Sequence, residues 1–265
     1  MGETLRVERD GAIAHIVLDR PESLNSLDVT MANELRDTTA ELKNDDAIRC
    51  VILRGEGGNF QAGGDVTYFR DGLGDPEDER RKSFESIIGV VHEAIENIRT
   101  MRKPVIASAN GAIAGFGVSL LAACDLAVIA EDCVLTVAYC LIGTSPDGGS
   151  THFLPRMVGM KRAMELVLLG DRFDAQTAKD YGLANQVVPA DEVAAATAKL
   201  AERLAVGPTH AYGNAKLLLN STFETDRETQ LNRELESFAD CALTADFAEG
   251  VSAFCDKRKA EFTGK

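Results

Sequence analysis

Two short glycine-bearing segments, each set between an apolar run and a helix-patterned stretch, restrict this chain more than anything else in it. The first reads Gly55-Glu56-Gly57-Gly58-Asn59-Phe60-Gln61-Ala62-Gly63-Gly64-Asp65 and follows Cys50-Val51-Ile52-Leu53. The second reads Asn110-Gly111-Ala112-Ile113-Ala114-Gly115-Phe116-Gly117 and follows Pro104-Val105-Ile106-Ala107. A strand-to-helix turn leaves main-chain N–H groups without internal partners and aims them outward. Two such turns side by side supply two donors that converge on a developing oxyanion. The pattern therefore predicts chemistry that passes through an enolate or a tetrahedral intermediate.

The rest of the chain fits around these turns. Leu5 to Arg9 and Ala12 to Leu18 read as two strands about Asp10-Gly11. Asp28 is placed to cap a helix running to about Lys43, with Ala32, Leu35, Thr39 and Leu42 on one face. Ile48 to Leu53 reads as a buried strand. Asp71 to Arg81 has no apolar face and reads as an exposed loop, after which Phe84, Ile87, Ile88, Val91, Ile95 and Ile98 mark a helix over Ser83 to Met101. Strands at Val105 to Ala109, Asp125 to Ala130, Val134 to Ala138 and Ala184 to Val188 alternate with helices beginning near Val118, Gly149, Lys161 and Ala175. Such alternation predicts an α/β fold with mainly parallel strands. After Pro189 only helical periodicity remains, which divides the chain into an α/β core over residues 1–190 and a helical region over 191–265. The apolar side of that tail needs a cover, from its own core and from a second subunit.

Composition narrows the function. The net charge of −14 argues against nucleic acid as a partner, and no apolar run is long enough to span a bilayer. Met1-Gly2-Glu3-Thr4-Leu5-Arg6 lacks the apolar centre of a cleaved leader. The six cysteines have no CxxC spacing and read as reduced thiols of a cytoplasmic protein. His15, His92, His152 and His210 are scattered without ligand spacing, so no metal site is expected.

At this level of detail the chain resembles the crotonase superfamily, the enoyl-CoA hydratases and isomerases. Arg20-Pro21-Glu22-Ser23-Leu24-Asn25-Ser26-Leu27 is similar to the family's N-terminal segment, and Phe60 to Asp65 to its first oxyanion loop. Asn110 through Cys124-Asp125 is similar to the second loop. Asp147-Gly148-Gly149, Leu154-Pro155-Arg156 and Ala175 through Val188 are similar to the third conserved region. Glu249 to Phe254 with Lys257-Arg258 is similar to its end, so the resemblance spans essentially the whole chain. It implies a spiral of ββα repeats with a C-terminal helical trimerisation region, assembled as trimers or hexamers. It also implies an acyl-CoA thioester substrate, with no cofactor beyond its coenzyme A. The thioester oxygen would accept hydrogen bonds from the N–H groups of Gly64 and Phe116. Phe116 occupies a position that is usually glycine, and its benzyl group is expected to narrow the pocket.

The hydratase branch of the family uses two glutamates, and Ser119 and Tyr139 stand at their positions here. Asp147 resembles instead the catalytic aspartate of family members that shift double bonds, such as dienoyl-CoA isomerases and the ring-opening isomerases of phenylacetate degradation. Near an apolar acyl chain its pKa is expected to rise, which suits a group that takes a proton from one carbon and returns it to another. By its position Asp147 could also cap the helix that begins near Gly148, a role that does not exclude catalysis. Ala62, Gly63, Asp65, Ser119, Tyr139, Leu24 and Lys257 complete the expected substrate-binding set. His152 is expected on the surface, carried away from Asp147 by its helix, and Phe254 in the core of the tail. The resemblance thus implies an enoyl-CoA isomerase. A hydratase working through Asp147 alone and a non-catalytic acyl-CoA-binding protein are the alternatives.

Overall fold

The computed structural model describes residues 2–265. Strands β1 (Leu5–Asp10) and β2 (Ile13–Leu18) form the antiparallel hairpin expected about Asp10-Gly11. β2 then opens a parallel series through β3 (Cys50–Gly55), β4 (Val105–Ala109), β6 (Leu126–Ala130) and β9 (Gln186–Val188). Every residue of β4 is buried, as expected of a central parallel strand covered on both faces. A second sheet of three short strands pairs β5 (Ala112–Ala114) with β7 (Val134–Thr136), and β7 with β8 (Phe173–Asp174). The apolar and polar spacing of residues 112–114 and 173–174 is too short to have announced β5 or β8.

The two sheets grow together as a spiral. β4 enters the large sheet, β5 enters the small one, and α4 (Phe116–Ala123) returns the chain. One turn earlier the same path runs through β3, a single parallel bridge from Gln61 to Ile113, and α2 (Val66–Asp71). The two glycine turns therefore occupy equivalent positions in consecutive turns of the spiral. That equivalence brings them together.

Helix α1 (Val29–Asn44) is capped by Asp28, whose carboxylate accepts from Met31 N–H at 2.8 Å, and buries Met31, Ala32, Leu35, Thr39 and Leu42. Helix α3 (Glu77–Thr100) packs beside it. α3 begins six residues before the expected Ser83, so most of the loop read over Asp71 to Arg81 is helical. Pro76 precedes the helix, and Glu77, Asp78 and Glu79 occupy its first turn, where acidic groups favour the positive end of the helix dipole. These first turns bury no side chain, so they carry no apolar signature.

Helices α5 (Ser150–Val158), α6 (Met160–Leu169) and α7 (Ala175–Asp180) complete the core region. In the tail, α8 (Val193–Ala205) lies against β3, β4 and β6 and buries Val193, Thr197, Ala201 and Ala205. α9 (Thr209–Ser221) lies on α3, fastened by the buried Lys216 ammonium. That group reaches Ile98 O and the Asp125 carboxylate, each at 2.7 Å. α10 (Arg227–Cys241) buries none of its side chains, and Leu231, Leu235 and Phe238 are exposed along it. On α11 (Ala245–Cys255), Phe254 is 86% exposed rather than in the core of the tail, because no element of the described residues covers that face. Among the described residues, no helix is long and apolar enough to cross a membrane.

Candidate active site

The Gly64 amide belongs to the peptide whose carbonyl is that of Gly63. That carbonyl accepts from Leu27 N–H at 2.8 Å and from the side-chain amide of Gln61 at 2.7 Å. A trans peptide is planar, with N–H opposite C=O, so gripping the oxygen on one side points the Gly64 hydrogen the other way. Gln61 is fully buried and also accepts from Gly63 N–H at 2.8 Å, so one side chain fixes both ends of residue 63. The second turn is fixed by main chain. Gly115 donates to Thr136 O at 3.0 Å and accepts from Val118 N–H at 3.0 Å, leaving Phe116 as the first residue of α4. Among the described residues, neither Gly64 N–H nor Phe116 N–H has an acceptor.

Gly63 (φ +95) and Gly115 (φ +50) both sit in backbone regions that side chains disfavour, and they face each other. A Cβ at Gly115 would lie 3.5 Å from the Gly63 Cα, so the two turns are in van der Waals contact. Both border a single cavity of about 1320 Å³, lined also by Ala62, Tyr139 and Asp147. Its walls are largely apolar: Phe69, Phe84, Ile88 and Val91 come from α2 and α3, and Phe153 from α5. A cavity this large accommodates a long ligand.

Asp147 enters from the third region. Its main-chain carbonyl accepts from Ser150 N–H (3.1 Å), Ser150 Oγ (3.1 Å) and Ser119 Oγ (3.0 Å). The helix α5 that follows is not capped by any side chain, so the Asp147 carboxylate has no capping duty. It accepts instead from the Tyr139 hydroxyl at 2.5 Å, and that hydroxyl lies 3.2 Å from Ser119 Oγ. Burial raises the Asp147 pKa above the usual carboxylate range, against the Tyr139 hydrogen bond and the charge of His92, which lower it. Burial and the neighbouring carboxylate push the Tyr139 phenol up, so it stays a donor. Tyr139 follows Ala138, held at φ +49, a left-handed conformation costly for alanine and enforced here by the surrounding packing.

The turn at Gly148 ties this region to the second oxyanion turn. A Cβ there would come within 2.9 Å of both the Phe116 ring and Ser119 Cβ. Phe116 borders the cavity while being only 2% exposed, and its ring packs beneath the Asp147 turn.

Of the residues expected to bind substrate, Ala62, Gly63 and Tyr139 border the cavity. Ser119 is fully buried just behind it, bonded to Tyr139 and Asp147. Leu24, Asp65 and Lys257 lie outside its walls. The Leu24 carbonyl accepts from Ala62 N–H at 3.1 Å, and its side chain is exposed. Asp65 caps α2 through Thr67 N–H at 2.9 Å and pairs with Arg20 at 2.9 Å. Burial pushes the Asp65 pKa up, but these partners together hold it below the usual value. Lys257 is exposed beyond α11. His152 differs from expectation. Its side chain is partly exposed, but it also borders the cavity and lies 3.5 Å from Glu224, just past α9, so α5 does not carry it away from the site. The histidine whose charge reaches Asp147 is His92 on α3, one residue beyond Val91 in the apolar stripe. Sequence reasoning also missed Gln61, whose only signal was a polar residue inside a glycine turn.

Comparison with known proteins agrees with this geometry. The family described as enoyl-CoA hydratase/isomerase matches residues 8–265. The chain is 36% identical over 250 residues to 1,2-epoxyphenylacetyl-CoA isomerase of Escherichia coli, covering 94% of both proteins. It is 31% identical over 264 residues to crotonyl-CoA hydratase of Syntrophomonas wolfei, covering 99% of both. The crystal structure of an enoyl-CoA hydratase from Polaromonas sp. JS666 superposes with a TM-score of 0.91 at 31% identity, covering 97% of this chain and 99% of that one.

Proposed function

Because the chain belongs to the enoyl-CoA hydratase/isomerase family, we propose that it moves a carbon–carbon double bond of an enoyl-CoA thioester, with Asp147 as the single acid/base. The observation that carries this reading is the position of the Asp147 carboxylate. It borders the same cavity as two acceptor-free amides, half-buried and held by a phenol rather than spent on capping. The thioester oxygen accepts from Gly64 and Phe116 N–H. Those donors stabilise the enolate more than the ground-state carbonyl, so the carbon-bound proton becomes removable. Asp147 takes that proton, holds it while charge is delocalised, and returns it to the far carbon of the dienolate. The double bond shifts and no atom is gained or lost. Coenzyme A is the handle of the substrate, and no other cofactor enters.

Hydration is the second reading, favoured by the likeness to a crotonyl-CoA hydratase. In it Asp147 would activate water against a 2-enoyl-CoA. The two are separated by offering 3-enoyl-CoA and 2-enoyl-CoA thioesters in deuterated water. Isomerisation creates the conjugated absorbance from the first and exchanges the α-proton, whereas hydration removes the absorbance of the second. Asp147→Asn should lower kcat by about 10²–10⁴-fold, the usual worth of a positioned acid/base, with thioester binding retained. Undiminished turnover in that variant overturns the assignment.

The exposed apolar residues of α10 and α11 support assembly into a homotrimer or hexamer, in which neighbouring copies cover Leu235, Phe238 and Phe254. Sedimentation should show a single oligomer at micromolar concentration; a monomer there rules the assembly out.

A further inference from the structure

The cavity continues past the reacting end along helix α3 to an arginine that, among the described residues, no side chain bonds directly. Arg99 borders the cavity, half-buried, with its guanidinium carbon 5.1 Å from the centre of the Phe153 ring. Among the described residues its guanidinium has no hydrogen-bond or ion-pair partner. None of the nearby carboxylates bonds it directly. Asp125 is paired with Lys216 at 2.7 Å, while Glu96 and Glu224 border the same cavity as exposed carboxylates, Glu224 lying 3.5 Å from a His152 whose pKa burial lowers. The neighbouring polar groups are also committed: Asn220 donates to Arg99 O at 2.8 Å, and Thr100 to Glu96 O at 2.6 Å. Burial lowers the Arg99 pKa relative to an exposed guanidinium, yet an arginine remains charged. A half-buried guanidinium stacked on a ring and without a direct hydrogen-bond acceptor leaves its donors free for a ligand that supplies one.

We infer that Arg99 receives a carboxylate at the far end of the acyl group, so that the preferred substrates are thioesters of dicarboxylic acids. This inference rests on the acyl-thioester reading of the site. α3 sets the length. His92, whose charge reaches Asp147, and Arg99 lie on one face two helical turns apart, a rise of about 10 Å. Phe84, Ile88, Val91 and Ile95 provide the apolar stretch near and between these ends. A planar guanidinium presents a two-pronged donor to a carboxylate, and Phe153 holds its face, which limits the freedom lost on binding. A methyl-terminated chain of the same length would leave that cation desolvated and unpaired.

The test uses saturated thioesters, which bind without reacting. Calorimetric titration of the full-length protein with suberoyl-CoA and with octanoyl-CoA should give about tenfold tighter binding of the diacid. Arg99→Met should bring the ratio close to one, and Arg99→Lys should keep part of the preference. Equal affinities in the wild type, or a preference that survives Arg99→Met, overturn the inference while leaving the thioester reading intact. If neither thioester binds, both fall. A diacid preference in a protein that moves no double bond leaves the inference standing and overturns the isomerase reading.

Discussion

The first oxyanion turn is held in place by side chains and the second by main chain. In the first, Gln61 bonds both ends of Gly63, Asn25 donates to Glu56 O and Asn59 O at 2.9 and 2.8 Å, and Arg20 pairs with Asp65. In the second, Gly115 is fixed by strand and helix carbonyls and amides, and every residue of α4 behind it is buried. The first turn is thus a loop stapled from outside, whereas the second is continuous with the core. Two matched turns are thus held by different means, one by exchangeable side chains and one by the core itself.

Two substitutions would break this contrast if it is wrong. Gly115→Ala forces a side chain onto a backbone at φ +50 and ψ −117, which should cost about 1–3 kcal/mol of stability. Displacement of Phe116 N–H should lower kcat by about 10²–10³-fold, the usual worth of one oxyanion donor. Gln61→Leu removes both bonds to Gly63 but leaves Leu27 N–H on its carbonyl. A smaller loss is expected there, about tenfold in kcat, with about 1–3 kcal/mol of stability lost to the unpaired buried groups. Chemical denaturation and initial rates on both variants decide the matter, and equal kinetic losses would erase the distinction between the turns.

A gentler substitution sharpens the comparison by leaving both turns intact. Tyr139→Phe withdraws the hydrogen bond that lowers the Asp147 pKa, so the pKa should rise further. The reaction as read needs ionised Asp147 in the free enzyme, so activity falls as pH drops through that pKa. The acid limb of kcat/KM should therefore lie above the ordinary carboxylate range in the wild type and move to higher pH in the variant. A pH–rate profile checks the sign; a limb that stays put would mean that another group titrates.

The parts of the molecule that sequence made legible share a cause. The hairpin, the capped helix α1, the buried strands and both glycine turns are written in local pattern, through alternation, capping residues and positions where a side chain is costly. Asp147 is singled out by its resemblance to the catalytic aspartate of double-bond-shifting family members, since its local pattern beside two glycines points only to a helix cap. What stayed hidden depends on residues meeting from distant stretches. Arg99 draws no reading from the sequence, because its place depends on Phe153 from a distant helix coming to lie under it. His152 looked like a surface group because nothing local foretells Glu224. The start of α3 was hidden for the opposite reason, since its first turns touch nothing and so bear no amphipathic imprint. Phe254 reads as core of the tail, yet it is 86% exposed among the described residues.

The division of labour around the cavity has one more consequence. The amide donors come from the spiral, yet much of the apolar lining belongs to residues 66–100, an excursion between two consecutive strands of the large sheet. An excursion of that kind can be lengthened, shortened or exchanged for a relative's version while the strands on either side keep their register. Transplanting it should therefore retarget the enzyme to a different acyl tail with the reaction chemistry carried over unaltered.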